Sequence, residues 1–176
     1  MTDMPLTRLA IDTNQEMFEK LLWEEARLKE TWGVYESFNF IVTAHHLYVD
    51  WMKPDVASAN QIARKALLPQ GAKDVFQAVL DISNGSKHWK ITSPKTLANQ
   101  VIIRVQKPAI GCWEAWAADS PMAYFRFTKY DMSMAQLSYV VVQYFDWVLN
   151  ASDLIVPESF QEGLDAMLAW DENEAG

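Results

Sequence analysis

The sequence predicts a mainly α fold: a four- to five-helix bundle with a small antiparallel β-hairpin or meander, at about 99–129, inserted before the last long helix. Three observations carry that expectation. Apolar residues recur at helical spacing in four segments, about 13–32, 35–52, 72–88 and 132–150. Between the third and fourth, the pattern shortens to aromatic and β-branched runs divided by turn residues. No repeat and no Gly/Ser/Pro-rich linker interrupts the 176 residues, so one domain over 1–176 is expected.

The first helix is expected to start at Thr13-Asn14-Gln15-Glu16, where a hydroxyl and a carboxylate stand at capping-box spacing. Phe18, Leu21, Leu22, Leu28 and Trp32 then mark an apolar face. Gly33 is placed to end or bend the helix. The second segment is apolar on nearly all sides, through Phe38, Phe40, Ile41, Val42, Leu47, Val49 and Trp51, which predicts a central, mostly buried helix. Its polar residues form one line, Asn39, Thr43, His46 and Asp50, at steps of 4, 3 and 4, and Pro54 stops it. Residues 56–68 are expected as a short helix or loop, punctuated by Pro69 and Gly71.

The third long helix buries Val75, Val79 and Ile82 and carries a second polar line, Gln77, Asp81, Asn84 and His88. The runs 99–106, 110–117 and 122–129 then read as strands, with turn signals at Pro108–Gly111 and Asp119–Pro121. Asp131 or Ser133 can cap the last long helix, whose core face is Leu137, Val141, Tyr144, Phe145 and Val148. A short amphipathic helix after Pro157 and a frayed tail at about 171–176 complete the chain.

Half of the residues are hydrophobic, which supports a packed core rather than disorder. Cys112 is the only cysteine, so no intrachain disulfide forms; its place in a Trp-rich strand pattern predicts a buried, inert thiol. The opening residues show no basic segment followed by an apolar run, and the most apolar window, 134–149, is too short to span a bilayer. A cytoplasmic protein without membrane association is the expectation. The net charge of −8 disfavours wholesale nucleic-acid binding, yet Ile82 to Trp113 holds no Asp or Glu while Lys87, Lys90, Lys95, Arg104 and Lys107 lie there. That window carries +5, leaving −13 for the rest.

Chemistry-bearing residues concentrate on the two polar lines. His46 and Asp50, four apart on one helix, are within reach of each other, either as a structural hydrogen bond or as part of a cleft. With His88 they compose a conceivable metal- or small-molecule site, although no HExxH, CxxC or repeated Glu-x-x-His spacing is present and no cofactor is expected. There is no GxSxG and no glycine-rich phosphate loop, hence no nucleotide motif. The aromatic run 113–127 suits a base-stacking platform less well than a sheet packed on the bundle or on a second copy, which points to a homodimer through the β insertion.

Ser83-Asn84-Gly85-Ser86-Lys87-His88, at the end of a bundle helix, resembles the signature region of the HEPN superfamily of helical bundles, many of which are ribonucleases. The likeness spans the first three helices and the last long one and leaves the β insertion outside. It implies that Asn84 and His88, with Asp81 close by, form the catalytic positions, His88 serving as general acid/base in a metal-independent cleavage. Ser83 stands where the family carries Arg, so the cation that stabilises the phosphodiester is missing; Lys87 or Lys90 is the nearest substitute. The expectation is therefore a non-catalytic, HEPN-like module that binds a protein or RNA through the cleft near Asp81, Asn84 and His88, beside a basic, solvent-open face built from 82–107, with Lys87, Lys90, Arg104, His46 and Asp50 as binding residues. The alternatives are an active ribonuclease, and a metal- or small-molecule-binding bundle.

Overall fold

The computed structural model describes residues 11–87, 101–106, 122–127 and 130–169. Over these the chain is mainly α, ordered α1 (Asn14–Thr31), α2 (Val34–Val49), α3 (Ala59–Ala66), α4 (Gln70–Lys87), β1 (Val101–Gln106), β2 (Met122–Phe127), β3 (Tyr130–Ser133), α5 (Met134–Asn150) and α6 (Glu158–Ala169). The described helices thus number six, because the 56–68 segment and the stretch after Pro157 both form helices of their own.

Helix starts follow a common local chemistry. Thr13 accepts from the Glu16 amide at 3.1 Å while the Glu16 carboxylate takes the Thr13 amide at 2.9 Å. Ser58 with Gln61 and Ser133 with Gln136 repeat this reciprocal box at α3 and α5, with amides accepted by the Gln carbonyl oxygens at 2.9 Å in both. Each box satisfies amides that a helix N-terminus otherwise leaves unpaired. Of the two residues offered as the α5 cap, Ser133 does the capping, and it is also the last residue of β3. The turn from α1 to α2 departs from expectation. Trp32, not Gly33, takes the left-handed conformation (φ 51°, ψ 25°), and Gly33 is an extended N-cap of α2 (φ −71°). The Glu36 carboxylate folds over the space a Gly33 side chain would occupy, and the glycine does not take a left-handed dihedral.

The strands form one antiparallel sheet in the order β1-β2-β3. Ile102 opposes Phe125 and Arg104 opposes Tyr124, so Ile103 is an extra residue that bulges β1. The third strand is Tyr130–Ser133, a stretch the sequence left between the strand 122–129 and a helix expected from about 132; the expected strand 110–117 lies outside the described residues.

α5 packs on α1, α2, α3, α4, α6 and the sheet, so its Leu137, Val141, Tyr144, Phe145 and Val148 are buried as the periodicity predicts. The centre of the core is aromatic. Phe76 stacks on Tyr48 (4.4 Å between centroids, 10° between planes) and meets Tyr144 and Phe145, while Phe160 of α6 closes on Tyr144. Offset and edge-on aromatic contacts of this kind add roughly 0.5–1.5 kcal/mol per pair beyond the area they bury.

Candidate functional site

The polar line of α2 divides in two. Thr43 turns inward against α1, where its hydroxyl accepts from Lys20 at 2.6 Å, and Lys20 also pairs with the buried Glu24. Asn39, His46 and Asp50 lie on the solvent side. His46 Nδ1 is 2.9 Å from Asp50 Oδ2, and Lys53 donates to Asp50 Oδ1 at 2.8 Å. Those bonds, His46 first and Lys53 second, hold the Asp50 carboxyl below the usual carboxylate range. The three residues make an ordered surface cluster. Within the described residues, no group of three or more His, Cys, Asp or Glu is placed to hold a metal ion.

The polar line of α4 is not a solvent face either. Asp81 is buried and its Oδ1 accepts from Gln77 Nε2 at 2.9 Å, and Asn84 is half-buried. Ser83, the position matched to the family Arg, is 0% exposed, and its hydroxyl has no hydrogen-bond partner among the described residues. Lys87 ends α4 and Arg104 lies in β1, whereas His88, Lys90, Cys112 and the Trp-rich run 113–121 lie outside the described residues.

Two cations that sequence reasoning passed over do structural work. Arg64 of α3 is 4% exposed and places its guanidinium at the C-terminal end of α5. It donates from Nε to Asp153 O at 2.8 Å, from Nη1 to Val148 O at 2.7 Å and from Nη2 to Ala151 O. A helix C-terminus leaves carbonyls unpaired and carries a partial negative charge, so a planar fork of donors suits it. The next residue, Lys65, donates to Tyr48 O near the end of α2 at 2.6 Å and sits 4.1 Å above the Tyr48 ring. Burial pulls the Lys65 amine below the ordinary lysine range and pushes the Tyr48 phenol up. One eight-residue helix thus fastens the ends of two others. The signal available in sequence was only the basic pair in the last turn of a short amphipathic segment; its acceptors are backbone carbonyls, which no side-chain pattern marks.

Within the core, Tyr144 OH and Trp147 Nε1, one turn apart on α5, are buried without hydrogen-bond partners among the described residues. Burial drives the Tyr144 phenol far above its usual range.

The largest departure from expectation is the outer side of α2. The segment reads as a central helix, yet among the described residues it packs on α1, α4, α5 and β2 along one side, burying Phe40, Ile41, Ala44 and Leu47. Tyr35 (83% exposed), Phe38 (39%) and the half-buried Val42 follow steps of 3 and 4 along the opposite side, flanked by Asn39 and His46. Trp23 of α1 (61% exposed) extends this face. It is three residues from Lys20, whose amine crosses to Thr43, and Arg27 stacks over its ring at 5.2 Å from the centroid. Leu22, one residue away, is on the other flank of α1 and does not join it.

The fold so defined is a helical bundle with a three-stranded antiparallel sheet. No protein-family model, no curated protein and no solved structure gives a significant match to the chain. No helix among the described residues is long and apolar enough to cross a membrane.

Proposed function

We propose that the chain is a non-catalytic protein-binding module, whose contact surface is the outer face of α1 and α2 around Trp23, Tyr35, Phe38 and Val42. One observation carries the reading: a helix that is apolar nearly all round has one long side exposed among the described residues. Helices of that composition are stable when enclosed, and exposed aromatic patches flanked by polar residues are characteristic of protein interfaces. Trp, Tyr and Arg are the residues that most often dominate binding energy, and Trp23, Arg27 and Tyr35 supply all three. The degenerate HEPN-like character expected from Ser83 agrees with a non-catalytic role, since a serine enclosed in the core cannot provide the missing cation.

The test is capture of binding proteins by the tagged chain, its own untagged copies included, followed by reconstitution with each purified candidate. Wild type is expected to retain a protein that the Tyr35→Asp/Phe38→Asp double variant loses. Identical protein sets for both, with the wild type monomeric, would overturn the reading. So would RNA cleavage by the wild type that His88→Ala abolishes.

A further inference from the structure

The occupant of this face can be argued from its chemistry. From Ser37 to Val49, α2 carries no Lys, Arg, Asp or Glu. Formal charges on this helix and its end are confined to Glu36 at the start and to Asp50 and Lys53 just beyond the last turn. Along the α2 stripe a strongly charged partner surface would find nothing to pair with and would lose hydration; the cations Arg27 and Lys20 belong to the α1 side of the face. A second α2 laid antiparallel meets the stripe with an identical uncharged stripe. Such a contact is self-complementary and closes after two copies.

The area fits. The exposed portions of Trp23, Tyr35, Phe38 and the adjoining Val34 amount to roughly 500 Å² per copy, given the 150–250 Å² that each aromatic buries. Two copies bury about twice that, near the ~1,000 Å² at which specific interfaces begin, before Val42, Asn39 and His46 are included. A net charge of −8 on each copy opposes association, but counter-ions screen it beyond about 8 Å at physiological salt. The contact is therefore moderate in strength and tightens as salt rises.

We infer that the outer face of α2 pairs with the same face of a second copy of this chain, antiparallel, with Val42 close to the two-fold axis. This rests on the binding role proposed above and names its partner. It places the dimer contact on α2, whereas the sequence pointed to the β insertion, where 113–121 lie outside the described residues.

Sedimentation and light scattering across protein concentration, at low and high salt, supply the first test. Wild type is expected to dimerise, more tightly at high salt, and Tyr35→Asp or Phe38→Asp to raise the dissociation constant at least about tenfold with an unchanged circular dichroism spectrum. The second test uses a Cys112→Ser background, so that an introduced cysteine is the only thiol. Val42→Cys is expected to form a disulfide-linked dimer under mild oxidation, because facing residues at a two-fold axis meet the Cα separation a disulfide requires. Lys73→Cys, exposed on α4, is the control and should remain monomeric. A wild type that stays monomeric at about 100 µM, a dissociation constant that is ten times the estimated cellular concentration or more, or equal cross-linking at positions 42 and 73, overturns the inference. If a monomeric wild type still retains another protein through Tyr35 and Phe38, only the second-copy inference falls and the binding reading survives.

Discussion

Arg64→Ala removes three donors at once from the C-terminal end of α5. A hydrogen bond to a charged group is worth roughly 1.5–3 kcal/mol, more when the acceptor left behind stays buried. Val148 is buried and Ala151 half-buried, so two of the three carbonyls lose their partner without regaining water, while the exposed Asp153 rehydrates. Relief from burying the guanidinium offsets part of the loss. The expected net cost is about 2–4 kcal/mol, since each buried carbonyl left unpaired costs roughly 1–3 kcal/mol. Against a total stability of about 5–15 kcal/mol this is a large share, and at about 2–4 °C per kcal/mol it lowers Tm by roughly 10 °C. Urea titration followed by circular dichroism measures it. Arg64→Lys should recover less than half, since an ammonium cannot reach three carbonyls in a plane. Because the acceptors are carbonyls and not carboxylates, the loss should persist in high salt, unlike that of a surface ion pair. An Arg64→Ala variant within about 1 kcal/mol of wild type, or an Arg64→Lys variant equal to it, would refute the clamp.

Lys65→Met is expected to behave differently from its neighbour. Burial disfavours the Lys65 charge, which cancels most of its bond to Tyr48 O and its contact with the ring, so the change in stability should stay below about 1 kcal/mol at pH 7; a larger loss in urea unfolding would contradict this. Tyr144→Phe deletes a buried hydroxyl that has no partner and should leave stability unchanged or raise it by about 1 kcal/mol, a clear drop being the contrary result. The same phenol sets an alkaline limit. Its folded pKa is raised, so its contribution is fully present below the unfolded value near 10 and is lost as pH rises above that, by up to about 1.4 kcal/mol per pH unit. Lys65, with a lowered folded pKa, acts in the opposite sense, gaining stability as pH rises toward the ordinary lysine value. Stability measured from pH 8 to 11 should fall less steeply for Tyr144→Phe than for wild type, and equal slopes would exclude Tyr144 as the cause.

What the sequence shows and what it hides follow from the range of the interactions involved. Thr13 with Glu16 is legible because both halves of a capping box lie within four residues. The long helices are legible because burial on one side imposes a period, and the mainly α class follows from them. The spacing of His46 and Asp50, four residues apart, puts them within reach of each other, and the bond between them forms. Spacing could not say that Thr43 would be taken by Lys20 of α1, which is a matter of how two helices are rotated against each other. β3 went unseen because Ser133 both ends the strand and caps α5, and four residues are too few to display a period. Arg64 was invisible for a simpler reason: its partners are main-chain oxygens 84 to 89 residues away. The apolar outer side of α2 was legible as composition but not as exposure, because periodicity counts apolar residues without knowing how many neighbours the fold provides.

The clamp built by α3 also bears on the order in which the molecule assembles. Lys65 can reach Tyr48 as soon as about twenty residues have closed on themselves, whereas Arg64 needs a partner 84 positions downstream. Closing the longer loop costs more chain entropy, and during synthesis α5 emerges well after α3. Arg64 is therefore a latch that engages only once α5 has joined the bundle. Its substitution should leave the folding rate almost unchanged and accelerate unfolding by nearly the whole of the lost stability. In the cell, such a residue governs how long a finished molecule survives rather than how quickly it is made.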